Sequence, residues 1–227
     1  RPQVRVGEQP MIRLAGGSTA HLEFEGVELR LELPTQSPTD GWSLFALTTG
    51  QSLELTRCVL TVQDGDAEHP AIHDDVAMIA LHRRRPGEAM AMGDAGLAMG
   101  QQARITLEQC VARGEANLIR LIDETPLTVR WNQGLLATTR HLIETQGTAT
   151  EPQYYEQIVL DLHNVTAWCR EGMYYLHRGS GKSHQFKVYA YADNCVLVTD
   201  PDAALFEMVG LIAPPEEEEL QIGRAHV

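Results

Sequence analysis

The sequence is poor in several features that would point directly to a function. Its 227 residues include only four cysteines and 6% aromatic residues, and 18 lysines and arginines are outnumbered by 31 aspartates and glutamates. The formal net charge of −13 would repel a phosphate backbone, so nucleic acid is not an expected partner. No apolar run reaches the roughly 18 residues of a membrane-spanning helix. We therefore predict neither nucleic-acid binding nor a membrane span.

Signals for a metal or a cofactor are also missing. No cysteine and histidine pair has the spacing of metal ligands. The stretch at 179–183, GSGKS, ends like a phosphate-binding loop, but Leu176 stands where that loop needs its first glycine. The densest group of acidic and basic side chains is His69, His73, Asp74 and Asp75, which we interpret as a solvated loop. We therefore predict no cofactor and no metal site.

What the sequence does contain is a short signature that recurs six times. Two apolar residues flank an outward one, a two-residue gap follows, and Val, Cys or Asn comes next. The copies are Leu22/Phe24/Val27, Leu53/Leu55/Cys58, Ile105/Leu107/Cys110, Leu127/Val129/Asn132, Leu160/Leu162/Val165 and Ala190/Ala192/Cys195. Alternation with period two indicates β-strands, and the gap indicates a sharp bend. Copies separated by roughly two to three dozen residues are typical of a repeat protein.

Two further expectations follow from the alignment of the copies. The residue before the last signature position should adopt a left-handed backbone conformation, which Gly26, Asn164 and Asn194 do at least cost. The remaining copies place Arg57, Gln109 and Trp131 there. The shared inward position of Cys58, Cys110 and Cys195 predicts a stacked row of free thiols rather than disulfides.

On this pattern the chain resembles the right-handed parallel β-helix of pectate-lyase-like proteins. The resemblance covers about residues 11–211 and implies an all-β solenoid. We further predict that this solenoid is truncated, because no capping helix is recognisable at either end. We predict an irregular lead-in at 1–10, a β-helix domain at 11–213 with a surface insertion at about 64–100, and an acidic linker or loop at 214–221. The stretch 75–84 is a candidate helix inside the insertion. Residues 222–227 match the translation of a common sequencing adapter, which predicts a non-native tail.

The resemblance speaks to fold more than to activity, because motifs typical of pectin-degrading hydrolases are missing. The outward positions also contain no repeated carboxylate pair. We therefore expect a non-catalytic binding or structural module of a larger bacterial protein, facing outside the cytoplasm. The chain also resembles β-helix regions that follow a kinase domain and a membrane segment in some large bacterial proteins.

The candidate binding residues are aromatic. Tyr189 and Tyr191 alternate with inward alanines, so both rings should lie on one outer face. Together with Trp131, Tyr174 and Tyr175 they would form a platform for sugar rings or for a protein partner. Two alternatives remain open. One is a polysaccharide lyase or glycoside hydrolase that uses Arg130, Asp161 and His163, or the loop at 73–75, and the other is a structural spacer without a ligand.

Overall fold

The computed structural model describes residues 11–14, 20–33, 41–64, 75–82, 102–122, 125–149, 151–152, 157–177, 184–209 and 220–222. These residues form strands and connecting turns, and no helix occurs among them. In chain order the strands are β1 (Ile12–Arg13), β2 (His21–Glu25), β3 (Glu28–Leu33), β4 (Ser43–Thr48), β5 (Ser52–Thr56), β6 (Val59–Asp64), β7 (Ala77–His82), β8 (Ala103–Glu108), β9 (Val111–Gly114), β10 (Asn117–Leu121), β11 (Leu127–Thr138), β12 (His141–Thr145), β13 (Gln157–Cys169), β14 (Gly172–His177), β15 (Lys187–Asp193), β16 (Val196–Thr199), β17 (Phe206–Val209) and β18 (Leu220–Ile222). The expectation of an all-β fold is confirmed for this part of the chain.

The strands form two sheets in which every described strand pairing is parallel. The seven-stranded sheet has the order β1-β4-β7-β10-β12-β14-β17. The eleven-stranded sheet has a first row, β2-β5-β8-β11-β13-β15-β18, and a second row, β3-β6-β9-β11-β13-β16. The first halves of β11 and β13 belong to the first row and their second halves to the second row.

The chain visits these three sets of strands in a fixed order. β2, β3 and β4 lie in the first row, the second row and the seven-stranded sheet, and the order recurs for β5–β7, β8–β10 and β15–β17. β11 and β13 each supply both rows before β12 and β14 enter the seven-stranded sheet. Each strand therefore lies about 4.8 Å from the equivalent strand of the next round. One signature copy corresponds to one round.

Two rows of inward side chains run across the first row of strands. One consists of Leu22, Leu53, Ile105, Val129, Leu160 and Ala190, and the other of Phe24, Leu55, Leu107, Trp131, Leu162 and Ala192. These side chains are buried in the middle strands and half-buried in β2 and β15. The prediction that equivalent apolar residues share one interior is therefore confirmed, with a correction to one copy.

The fourth signature copy, Leu127/Val129/Asn132, is wrong by two residues. The register places Val129 and Trp131 in the two inward rows and Gly134 at the last position, opposite Val165. The left-handed residue of this copy is Gln133, with φ 55°, rather than Trp131. The error has a physical reason, because glycine lacks the apolar side chain by which the last position is recognised.

Trp131 and Gly134 compensate for each other in volume. The indole of Trp131 is 1% exposed, and a Cβ atom at Gly134 would lie 1.9 Å from its Nε1 atom. A neighbouring copy holds two medium-sized residues at these positions, Leu107 and Cys110. One large side chain and one missing side chain here replace two of intermediate size.

The predicted bend is confirmed in the other five copies. The residues with positive φ are Gly26 (65°), Arg57 (54°), Gln109 (53°), Asn164 (55°) and Asn194 (52°). Side-chain amides form a ladder of hydrogen bonds along the line of bends: Asn194 donates to Asn164, and Asn164 Nδ2 donates to Asn132 Oδ1 at 3.3 Å. Asn132 Nδ2 donates in turn to the Glu108 carboxylate at 3.0 Å. The ladder links four successive rounds.

The ladder makes a direct test of the bend possible at Asn164. We expect Asn164→Ala to lower the free energy of unfolding by about 1–2 kcal/mol, because a non-glycine residue without a local hydrogen bond disfavours left-handed φ. Asn164→Gly loses the same amide but adopts this φ freely, so it should cost about 1 kcal/mol less than the alanine variant. Urea denaturation of both variants measures the difference, and equal losses would show that the bend is unstrained.

The cysteines carry free thiols. Cys58 and Cys110 are buried, and Cys195 is half-buried at the equivalent position of the last described round. Cys110 Sγ donates to the carbonyl oxygen of Leu55 at 3.1 Å. Burial raises the pKa of the Cys110 thiol, which keeps it protonated at neutral pH. The expectation of free thiols is confirmed, and Cys58 and Cys110 stack in adjacent rounds. Cys195 does not join them, because Gly134 and Val165 occupy the equivalent position in the two rounds between.

The predicted surface insertion at 64–100 needs a correction. Residues 77–82 form β7, which pairs with β4 and β10 and is buried from Ala77 to Leu81. This segment of the predicted insertion is therefore neither a surface loop nor a helix. The lead-in at 1–10 and the segment 223–227 lie outside the described residues, and β18 crosses the predicted border between linker and tail. Within the described ranges no helix is long and apolar enough to cross a membrane.

Candidate functional site

The outer side of the first row, here called the first face, carries two of the predicted binding residues. Tyr191 on β15 is 51% exposed and lies in register with Asp161 on β13, which in turn lies opposite Arg130 on β11. Tyr189 is half-buried opposite Val159. The parallel register therefore places Arg130, Asp161 and Tyr191 side by side, about 4.8 Å apart from strand to strand.

A histidine held between two carboxylates lies beside this line. His163 Nε2 is 2.9 Å from Asp161 Oδ1, and His163 Nδ1 is 3.5 Å from Asp193 Oδ2. All three side chains are substantially exposed on the first face. The arrangement fixes the imidazole ring and offers carboxylate oxygens on both sides of it. Arg130, by contrast, is only a register neighbour of Asp161 in the described residues.

Two of the predicted platform residues belong to the interior. Trp131 points inward as described above, and Tyr174 is 2% exposed and stacks on Phe206 with a centroid distance of 4.3 Å. Neither ring can contribute surface to a platform, which corrects that part of the prediction. Tyr175 is half-buried on the outer side of the seven-stranded sheet. The platform is therefore reduced to Tyr189 and Tyr191.

A second exposed apolar group was not predicted from the sequence. It consists of Leu135, Trp168, Val196 and Val198, all more than one third exposed. They lie on the outer side of the second row, here called the second face, where Val196 pairs with Thr166 and Val198 pairs with Trp168. The alternation of Ala167 and Cys169, both buried, around Trp168 could have indicated its outward direction.

A shallow cleft of about 270 Å³ lies at the other end of the second face. Its walls are Glu28, Arg30, Thr61, Val62, Gln63, Arg113, Gly114 and Glu115. Arg113 Nε donates to Thr61 Oγ1 at 3.2 Å. Two arginines and two glutamates leave the cleft without a preferred sign of ligand charge.

The outer side of the seven-stranded sheet holds a group of polar residues, here called the polar cluster, which are buried except for the exposed Asp75 and the half-buried His177. It comprises Asp75, Asn117, Arg120, His141, Glu144 and His177. At its centre Glu144, 5% exposed, accepts from Asn117 Nδ2 at 2.7 Å and from His177 Nε2 at 3.0 Å. Arg120 Nε is 3.3 Å from Glu144 Oε2, and the same guanidinium binds the Asp75 carboxylate.

The ring of Tyr175 stacks on the two histidine rings of this cluster. Tyr175 lies between His141 and His177, with centroid distances of 5.0 Å and 4.8 Å. Burial, and then the charge of Arg140, lower the pKa of His141 to about 4. Burial alone would raise the pKa of Glu144, but the hydrogen bond from His177 and the charge of Arg120 outweigh it and lower this pKa. At neutral pH the cluster thus contains a neutral His141 and an ionised Glu144.

The histidine and aspartate residues considered earlier in the sequence are only partly described. Asp75 is the partner of Arg120, while residues 69, 73 and 74 lie outside the described residues. In the described ranges no group of three or more histidine, cysteine, aspartate or glutamate side chains could hold a metal ion. Comparison with protein-family models, curated proteins and solved structures gives no match to the chain.

Proposed function

We propose that the chain winds as a right-handed parallel β-helix and is a non-catalytic module that binds carbohydrate on its first face. The recurrent order of first row, second row and seven-stranded sheet supports the winding. The observation that carries the binding proposal is the exposed Tyr191 ring, fixed on a sheet directly beside a pair of carboxylates and a histidine. A rigid sheet would present these groups with little loss of entropy on binding.

The chemistry of the first face favours a sugar over other ligands. A pyranose ring has an apolar side that packs on an aromatic ring and a rim of hydroxyls that needs oriented acceptors and donors. Tyr191 supplies the ring, and Asp161, Asp193 and His163 supply fixed polar groups around it. Arg130, one strand further along the row from Asp161, adds a guanidinium donor. The mixed charge of this line fits hydroxyl groups better than it fits a polyanion.

The alternative is a lyase or hydrolase in which Asp161 and His163 act as base and acid. Their 2.9 Å contact favours this alternative, because a histidine oriented by a carboxylate is a common general base. Against it, Asp193 lies beside the second ring nitrogen, and the cleft described above is lined by residues of the second face rather than by this pair. Catalysis depends on holding the substrate close to the acid and the base, and an open sheet surface holds a substrate less closely than a groove does.

The test is a binding assay of the full chain with Tyr191→Ala. Affinity electrophoresis against a panel of neutral and acidic polysaccharides should identify at least one retarding glycan. We expect Tyr191→Ala to weaken that interaction roughly tenfold, equivalent to about 1.4 kcal/mol of lost stacking. The matched control is Trp168→Ala, which removes an exposed aromatic ring from the second face and should leave the affinity unchanged.

Other outcomes separate the remaining functions. If the panel releases new reducing ends or unsaturated products and Asp161→Ala abolishes them, the protein is an enzyme. If Trp168→Ala rather than Tyr191→Ala removes binding, the site lies on the second face. If no glycan is retarded and no product forms, the chain is a spacer or binds a protein, and the carbohydrate proposal fails.

A further inference from the structure

We propose that the polar cluster is an acid-released latch, which ties the middle strands of the seven-stranded sheet together at neutral pH and lets them open locally in mild acid. This inference is independent of carbohydrate binding, because the cluster lies on a different sheet from the first face. Carbohydrate binding on the first face does not explain why these polar side chains are buried.

The first step is the geometry of the contacts. The Arg120 side chain on β10 reaches Asp75, just before β7, and Glu144 on β12. Glu144 accepts from His177 on β14. Asn117 on β10 accepts from the His141 backbone nitrogen at 3.1 Å and from His141 Nδ1 at 3.2 Å. The contacts of Arg120 and His177 with Glu144, and of Asn117 with His141, cross between neighbouring strands and hold β10, β12 and β14 to one another. The contact of Arg120 with Asp75 ties β10 to the residues just before β7.

The second step is that this arrangement favours a neutral His141 over the protonated form. Its Nδ1–H is used by Asn117 Oδ1, and its ring lies against Tyr175. The Glu144 carboxylate, the nearest anion of the cluster, is already occupied by Arg120, Asn117 and His177. An added proton on His141 would therefore enter a buried site without a free counter-charge.

The third step is the balance of the surrounding charges. The cations around His141 and Glu144 are Arg140 just before β12, Arg120 on β10 and His177 on β14 when protonated. The anions are Asp75 before β7, Glu144 on β12, Glu171 just before β14 and Glu207 on β17, and the remaining titratable group is Tyr175. Glu171 is paired with Arg140 at 2.8 Å, and Asp75 is paired with Arg120. Most of the carboxylates around His141 therefore already form an ion pair with an arginine.

The sign of the pH effect follows from these contacts. The His141 pKa is about 4 in the closed sheet, against an ordinary value of 6.5. Between these values an opened sheet takes up a proton that the closed sheet does not, so acid favours opening by at most tenfold per pH unit. His177 donates to Glu144 through Nε2–H whether it is neutral or charged, so this bond survives through the same window. The lowered pKa of Glu144 adds a further loss only in stronger acid.

The experiment is amide hydrogen exchange of the full chain at pH 7.0 and pH 5.0, corrected for the intrinsic exchange rate. We expect residues 117–121, 141–145 and 172–177 to lose roughly ten- to thirtyfold protection at pH 5.0. The first-row strands β5 and β8 serve as the internal reference and should keep their protection. Equal loss in both sheets, or no loss in either, overturns the proposal.

A variant pair assigns the effect to one side chain. His141→Gln cannot take up the proton, so its cluster strands should show the same protection at both pH values. His163→Gln removes an exposed histidine from the first face and should keep the wild-type response. A full acid response in His141→Gln overturns the proposal, and if this variant does not fold, the comparison between the two sheets of the wild-type protein decides alone.

Discussion

Replacing Gly134 with valine should be one of the most damaging single substitutions in this chain. The new Cβ would lie 1.9 Å from the indole nitrogen of Trp131, which is buried and has no room to move aside. Overpacking of a dense core costs about 1–3 kcal/mol and more when the neighbour is rigid, so we expect a loss of at least about 3 kcal/mol. Urea denaturation at neutral pH measures it.

A second substitution should reverse this damage. Trp131→Leu alone leaves a cavity and should cost on the order of 2 kcal/mol. The double variant Trp131→Leu with Gly134→Val recreates the pairing of medium-sized residues found in the next copy, Leu162 with Val165. Its loss should be well below the sum of the two single losses. Strictly additive losses would show that the two positions do not share space.

The second large effect is expected at Arg120, which is 6% exposed. Arg120→Met keeps the length of the side chain but leaves the buried Glu144 carboxylate without its guanidinium partner. Breaking one half of a buried ion pair typically costs about 3–5 kcal/mol, because the remaining charge is uncompensated. We expect a loss in this range in urea denaturation at pH 7.

Two comparisons make the Arg120 result interpretable. Arg57→Met removes an arginine from the exposed pair with Glu25 and should cost less than about 1 kcal/mol. Arg120→Met combined with Glu144→Leu removes both charges and should recover much of the single loss. A loss at Arg120 no larger than that at Arg57 would mean that the polar cluster is effectively solvated.

The sequence was sufficient to predict the rows of inward side chains and the bends between them. Period-two alternation and a constant two-residue gap reflect local backbone geometry, so both can be recognised directly in the order of the residues. The fourth copy is misplaced by two residues because its two inward positions hold a very large residue, Trp131, and a residue without a side chain, Gly134. Such compensation in volume is a property of three-dimensional packing and cannot be recognised from the local pattern. The signature therefore predicts Trp131 at a bend and on an outer platform, although this residue is part of the core.

The polar cluster could not be predicted from the sequence for a different reason. Arg120, Glu144 and His177 come from three strands, and only the register of the seven-stranded sheet brings Arg120 opposite Glu144. The pattern around each residue is that of an ordinary outward position, which normally means contact with water. Burial on both sides of β10 and β12 is a tertiary property. Trp168 lies beyond the bend at Asn164, where the signature specifies no outward position.

The complementary volumes at positions 131 and 134 also carry an expectation about homologous sequences. Natural selection acting on this interior constrains the sum of the two side chains rather than either one. Relatives of the protein should therefore show correlated exchange, with tryptophan beside glycine in some lineages and leucine beside valine or cysteine in others. A lineage that gained bulk at one site would have to lose it at the other first, which limits the order in which such substitutions accumulate.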